Sequence, residues 1–157
     1  MDNDIKILLG QAIRSEMDAR SFYTALAGGI KNLLLKERLL FLASEEEKHE
    51  GFLRGLYRNR FGEEPAVPET TPVPSPRYVP GEKTLISDLL AGAMEAEKAA
   101  EEFYLNLSNL LSGEEKALLE YLALMERGHY YILEAEREMA LHFEEYEAVN
   151  PLFHIGA

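Results

Sequence analysis

Two copies of Glu-x-x-His stand 80 residues apart, as Glu46-Glu47-Lys48-His49 and Glu126-Arg127-Gly128-His129. Residues three apart on a helix share a face, so each copy can bring a carboxylate and an imidazole to one point. Two further glutamates, Glu16 and Glu97, precede these motifs by 30 and 29 residues. Each opens the same phrase, a glutamate, five residues, then Phe-Tyr: Glu16 to Phe22-Tyr23 and Glu97 to Phe103-Tyr104. A lone Glu-x-x-His on an acidic chain reads as a solvated pair. Two copies, each with its own upstream glutamate, read as an internal repeat.

What such a set does depends on whether it faces inward. Bare carboxylates gathered in a core repel one another and are costly to strip of water. Divalent cations relieve both costs. Carboxylates bridge such ions and imidazoles complete their coordination. Oxygen and nitrogen donors without sulfur suit iron or manganese, with zinc as a further occupant.

Four helices must position these groups. The stripe Ile5, Leu9, Ala12, Glu16, Ala19, Tyr23 steps by three and four, which keeps one face of a helix over about 4–27 toward a core. Asp2 or Asp4 is placed to cap it, and Gly28-Gly29 to end it. A second helix over about 31–60 carries Leu35, Leu39, Leu42, Glu46, His49, Leu53 and Leu56. A third, over about 85–111 with Thr84 as N-cap, carries Ile86, Leu90, Ala93, Glu97, Ala100, Tyr104, Leu107 and Leu111. Ser112-Gly-Glu-Glu115 has the pattern of a capping box. It opens a fourth helix, from 113 or 114 to about 146, with the stripe Leu119, Leu122, Glu126, His129, Leu133, Glu136, Ala140, Phe143. Glu136 reads as a bundle-end residue. Tyr23 and Tyr104, two turns beyond their glutamates, read as core aromatics or as groups acting on the ligands. His142 and His154 have no ligand-spaced partner.

Between Gly62 and Gly81 lie six of the seven prolines, which predicts an extended crossover without helix. The expected organisation is one all-α domain over residues 1–157. It comprises a helical hairpin over about 4–60, a crossover over about 61–83, a second hairpin over about 84–146 and a short tail over 147–157. Two hairpins joined by one long connection make a four-helix bundle.

Composition narrows the function classes. Lys+Arg total 16 against Asp+Glu 28, a net charge of -12. That balance disfavours nucleic acid and anionic membranes. The chain has no cysteine, which excludes disulfides, iron–sulfur clusters and thiol nucleophiles. No apolar run approaches the roughly 20 residues of a membrane span. The N-terminus lacks a basic region followed by an apolar one. A cytoplasmic protein is the expectation.

The doubled Glu plus Glu-x-x-His pattern resembles the ferritin-like di-iron carboxylate superfamily, and within it the erythrin domain of rubrerythrins. The resemblance covers nearly the whole chain. It implies that Glu16, Glu46, His49, Glu97, Glu126 and His129 ligate two irons. It further implies a di-iron oxidoreductase that reduces peroxide or dioxygen, and a homodimer. The alternatives are an iron-binding, ferroxidase or storage protein, or a bundle with a structural metal. Two departures from the family pattern stand out. Rubrerythrins usually carry a cysteine-ligated rubredoxin domain; without cysteine, electrons must come from another protein, such as a rubredoxin-like carrier. They also usually carry a further glutamate three residues from the third-helix ligand. Here those positions are Met94 and Ala100, and the nearest acid is Glu101.

Overall fold

The computed structural model describes residues 1–143. Its elements are α1 (Asp2–Gly29), α2 (Leu33–Phe61), α3 (Ile86–Ser108) and α4 (Gly113–His142). Helices α1 and α2 pack as one hairpin and α3 and α4 as the other, and the two hairpins together form a four-helix bundle. Residues 62–85 join them with neither helix nor strand. The expectation for residues 144–146 of the fourth helix, like the tail, lies outside the described residues.

The helix ends differ in detail from the sequence-based expectation. Asp2 and Asp4 sit inside the first turn of α1 and make no side-chain cap bond. There they oppose the positive end of the helix dipole, and Asp2 also pairs with Arg60 at 2.8 Å. The glycines Gly28-Gly29 remain helical, and α1 ends at an extended Ile30. The N-cap of α3 is Leu85, not Thr84, and it offers no side-chain bond. Ser112 occupies the N-cap position of α4, but its hydroxyl caps nothing. Gly113, with φ 58°, supplies the change of direction instead. The side-chain cap that does form is Asn32, whose Oδ1 accepts from Leu35 N at 3.1 Å. Helix α2 closes on Gly62 in the left-handed region, its N–H bonded to the Arg58 carbonyl at 2.8 Å.

The inward stripes of α1, α2 and α3 are buried, Ala19 being half-buried. That of α4 is buried through Leu133 and again at Ala140, interrupted by the half-buried Glu136, which faces Arg38 at 3.6 Å; the stripe leaves the core at Phe143, which is 51% exposed. The buried apolar side chains form two clusters. One gathers Tyr23, Leu26, Leu35, Leu39, Leu42, Ile86, Leu90 and Leu133. The other gathers Ile5, Leu9, Leu53, Leu56, Tyr104, Leu107, Leu119 and Leu122. The start of α1 shares its cluster with the ends of α2 and α3 and the start of α4, so neighbouring helices run antiparallel. Among the described residues, no helix is long and apolar enough to cross a membrane.

Candidate metal centre

Between the two apolar clusters lies a layer of ionisable side chains. Glu16, Glu46, His49, Glu97, Glu126 and His129 are each no more than 3% exposed. The helical repeat puts them there: each takes the place of an apolar residue on a stripe that already faces inward. They form two overlapping groups. Glu16, Glu46, His49 and Glu126 make one, and Glu46, Glu97, Glu126 and His129 the other; within each, potential ligand atoms lie within 4.8 Å of one another. Glu46 and Glu126 belong to both. The structure thus brings all six residues singled out from sequence into one place.

The geometry is close to two-fold symmetric. His49 Nδ1 lies 2.8 Å from Glu126 Oε1, 3.4 Å from Glu46 Oε2 and 3.7 Å from Glu16 Oε2. His129 Nδ1 lies 3.1 Å from Glu46 Oε1, 3.4 Å from Glu126 Oε2 and 3.7 Å from Glu97 Oε2. The two imidazole rings are stacked, with centroids 5.3 Å apart and planes 6° from parallel. The Tyr23 hydroxyl donates to Glu97, and the Tyr104 hydroxyl donates to Glu16. Each hairpin therefore supplies a tyrosine to the other hairpin's first-helix glutamate.

Electrostatics separate the glutamates into two kinds. Burial, reinforced by the neighbouring carboxylates, pushes Glu46 and Glu126 well above the ordinary range and favours their neutral forms. Burial also pushes on Glu16 and Glu97, but there it is outweighed. The adjoining Glu46 carboxyl and His49 imidazole, with the Tyr104 hydroxyl, hold Glu16 low. The adjoining Glu126 carboxyl and His129 imidazole, with the Tyr23 hydroxyl, hold Glu97 at about 2. Burial pulls His49 down, yet the hydrogen bond to Glu126 and the close carboxyl groups of Glu16 and Glu46 overcome it and hold it at about 12. His129 is raised in the same way by Glu126, Glu46 and Glu97. Burial and the adjacent glutamates raise both tyrosines, which stay neutral donors.

Without metal, then, the balance favours ionised Glu16 and Glu97 and charged His49 and His129, with Glu46 and Glu126 driven toward their neutral forms between them. This balance leaves Glu16 Oε2 and Glu46 Oε2 buried with no hydrogen-bond partner. Orphaned carboxylate oxygens in a dry core are costly. A divalent cation would satisfy them, and the remaining donors fit: carboxylate oxygens and imidazole nitrogens with no sulfur. The residues present suit metal binding.

Comparison with known proteins agrees. The rubrerythrin family model matches residues 8–137. The chain belongs to the rubrerythrin family. A solved structure of a hypothetical protein from Pyrococcus furiosus is similar over 88% of this chain and 90% of that one, with 46% identity and a TM-score of 0.81. No curated protein sequence matches the chain.

Rubrerythrin-type ligand spacing directs attention to Glu101, and the structure turns it elsewhere. Its carboxylate accepts from Arg127 Nε at 2.8 Å and from Arg127 Nη2, on the outer side of α3 and α4. It is absent from both ligand groups. Ala100, one residue earlier, faces the centre's surroundings instead. Two features were not legible in the sequence. One is the exchange of tyrosines between hairpins, which requires knowing which helices run side by side. The other is the crossover segment Val73–Pro76, which lies over the glutamates and with them lines a small cavity.

Proposed function

We propose that this centre holds two iron ions and reduces hydrogen peroxide or dioxygen, drawing electrons from a separate carrier protein. The observation that carries the reading is the pair of ligand groups sharing Glu46 and Glu126. Shared carboxylates would hold two cations side by side rather than in independent sites. A pair of ferrous ions supplies the two electrons that, with two protons, turn one hydrogen peroxide into two waters.

The chain's own residues prepare the rest. Glu16 and Glu97 are ionised in advance, and the Tyr104 and Tyr23 hydroxyls fix their orientation, as groups outside the ligands commonly do. The two apolar clusters exclude bulk water from above and below the layer. Manganese and zinc share the donor preference and are competing occupants. With no cysteine in the chain, the electrons are assigned to a partner, a rubredoxin-like carrier. Association as a homodimer belongs to the same reading.

The test is a single mixing experiment on protein loaded anaerobically with ferrous iron. Peroxide should remove the ferrous signal within seconds. Iron that stays ferrous would sink the reading. A large assembly by light scattering, with many irons per chain, would replace it with storage.

A further inference from the structure

The six ligands are almost fully buried, so a reactant needs a way in. Three of the larger surface hollows touch none of them; they are lined around Phe41 and Glu136, around Met17 and Glu50, and around Phe52 and Glu115. A smaller cavity does reach the centre. Its floor is Glu16, Glu46, Glu97 and Glu126, and its roof is the crossover segment Val73–Pro76. It offers about 20 Å³ to the centres of water-sized molecules. That is room for a small molecule and little more.

The walls explain the size. Ser15 and Ala19 on α1 face Ala96 and Ala100 on α3. These are repeat-related positions, and all four are small, which leaves a groove between the two helices. The roof is held from several sides. Val73 is only 7% exposed and packs in the same cluster as Ala100 and Tyr104. A Cβ at Gly92 would lie 3.5 Å from Pro76, so the segment rests directly on α3 there. Upstream, a Cβ at Gly10 would come within 2.7 Å of the Ala66 carbonyl, so only glycine lets the crossover run this close to α1. Pro74 and Pro76 fix their own φ, which limits how far the segment can flex.

We infer that Val73–Pro76 is a size filter over the metal centre, admitting molecules as small as hydrogen peroxide or dioxygen and turning away bulky organic hydroperoxides. The inference rests on the peroxide-reducing reading above and narrows its substrate class. Val73 and Pro76 set the clearance from the roof; Ala96 and Ala100 set it from the wall.

Stopped-flow mixing of the ferrous protein with hydrogen peroxide or cumene hydroperoxide tests it. Azide binding to the ferric protein, followed by absorbance, reports access without turnover. In the unaltered protein hydrogen peroxide should react at least about 100-fold faster than cumene hydroperoxide, the scale on which close-fitting pockets discriminate by size. Val73→Gly should bring that ratio below about tenfold and speed the arrival of azide. Pro76→Gly should do the same without emptying a buried position, and metal content with circular dichroism shows that both variants keep their site. Ala96→Leu should slow azide and hydrogen peroxide together. Near-equal rates for the two peroxides in the unaltered protein would overturn the filter and leave peroxide reduction standing. Inert ferrous iron, with azide still hastened by both strap variants, would overturn peroxide reduction and keep the filter. Azide rates indifferent to both strap variants would overturn the filter outright.

Discussion

The two hairpins are nearly equivalent inside and unlike outside. Facing the centre, each supplies Glu, Glu-x-x-His and Tyr, and burial along Phe41–Glu50 repeats residue for residue along Tyr121–Tyr130. Contacts cross between halves: His49 meets Glu126, His129 meets Glu46, Tyr23 meets Glu97 and Tyr104 meets Glu16. Away from the centre, the equivalence lapses. The position of the buried Leu56 is taken in the second hairpin by the half-buried Glu136. The exposed pair Arg20–Glu47 becomes Glu101–Arg127, with the charges reversed. The difference teaches where the repeat is constrained. A site shared across an approximate two-fold axis needs matched donors from both sides, whereas a solvated surface needs only that neighbouring charges not repel.

The largest break in this equivalence should come from asking which ligands are shared. On the two-metal reading, Glu46→Ala or Glu126→Ala removes a member of both groups and should cost both metals. His49→Ala or His129→Ala removes a member of one group and should leave one metal held. Metal analysis after gel filtration distinguishes these outcomes. If the four variants lost metal alike, Glu46 and Glu126 would not be bridging residues. Circular dichroism should show the helices retained throughout, because the two apolar clusters flank the layer and do not depend on it.

The protonation pattern gives the next effect. Without metal, Glu46 and Glu126 are pushed well above the ordinary carboxylate range, His49 holds its proton to about 12, and His129 is raised likewise. Ligation requires the protons on these groups to leave. Glu16 and Glu97 are held low and release none. The sign follows: protons compete with metal, so affinity rises with pH and is lost as pH falls. Each displaced proton changes the apparent affinity about tenfold per pH unit. Calorimetry in buffers of different ionisation enthalpy should show release of at least two protons per metal pair near pH 7, one from each histidine, with Glu46 and Glu126 adding to it. Release of less than that would contradict the pattern.

A smaller effect belongs to the exchanged tyrosines. Tyr23→Phe and Tyr104→Phe each remove one hydroxyl while keeping the ring that fills the core. Each should weaken metal binding by about 10- to 100-fold, the range typical of groups that orient ligands. Equal losses would show the two hairpins matched beyond the ligands themselves. An effect confined to one tyrosine would show that the approximate two-fold does not extend to the hydrogen bonds.

How far the sequence carries follows from the same contrast. The helices were legible because a 3.6-residue repeat commits a whole stripe to one side, and a glutamate on that stripe must go where the leucines go. The candidate site was legible because the pattern occurs twice; Glu126-Arg127-Gly128-His129 alone would have meant little. What escaped depends on packing between distant segments. Nothing near Val73 says that it roofs Glu16 and Glu97, although Gly10 and Gly92 mark where a chain passes close to a helix. Thr84 and Ser112 are good cap residues by type, but the backbone placed Leu85 at one cap and let Gly113 make the other turn.

The smallest effects should come from the reversed ion pair, and they decide what Glu101 is for. Arg20 and Glu47 lie 3.3 Å apart, both largely exposed. Glu101 and Arg127 occupy the equivalent positions with signs exchanged, the arginine 54% exposed and the glutamate half-buried at the surface. Exposed pairs contribute little because water and salt screen them. Glu101→Ala should therefore leave metal content unchanged and move Tm by no more than about 3 °C. Glu101→Arg alone sets arginine against arginine and should lower Tm further. Adding Arg127→Glu restores an opposite pair with the polarity of the first hairpin and should recover the original value. Loss of a metal in Glu101→Ala would instead make Glu101 part of the centre, and the hairpins would then differ inside as well as out.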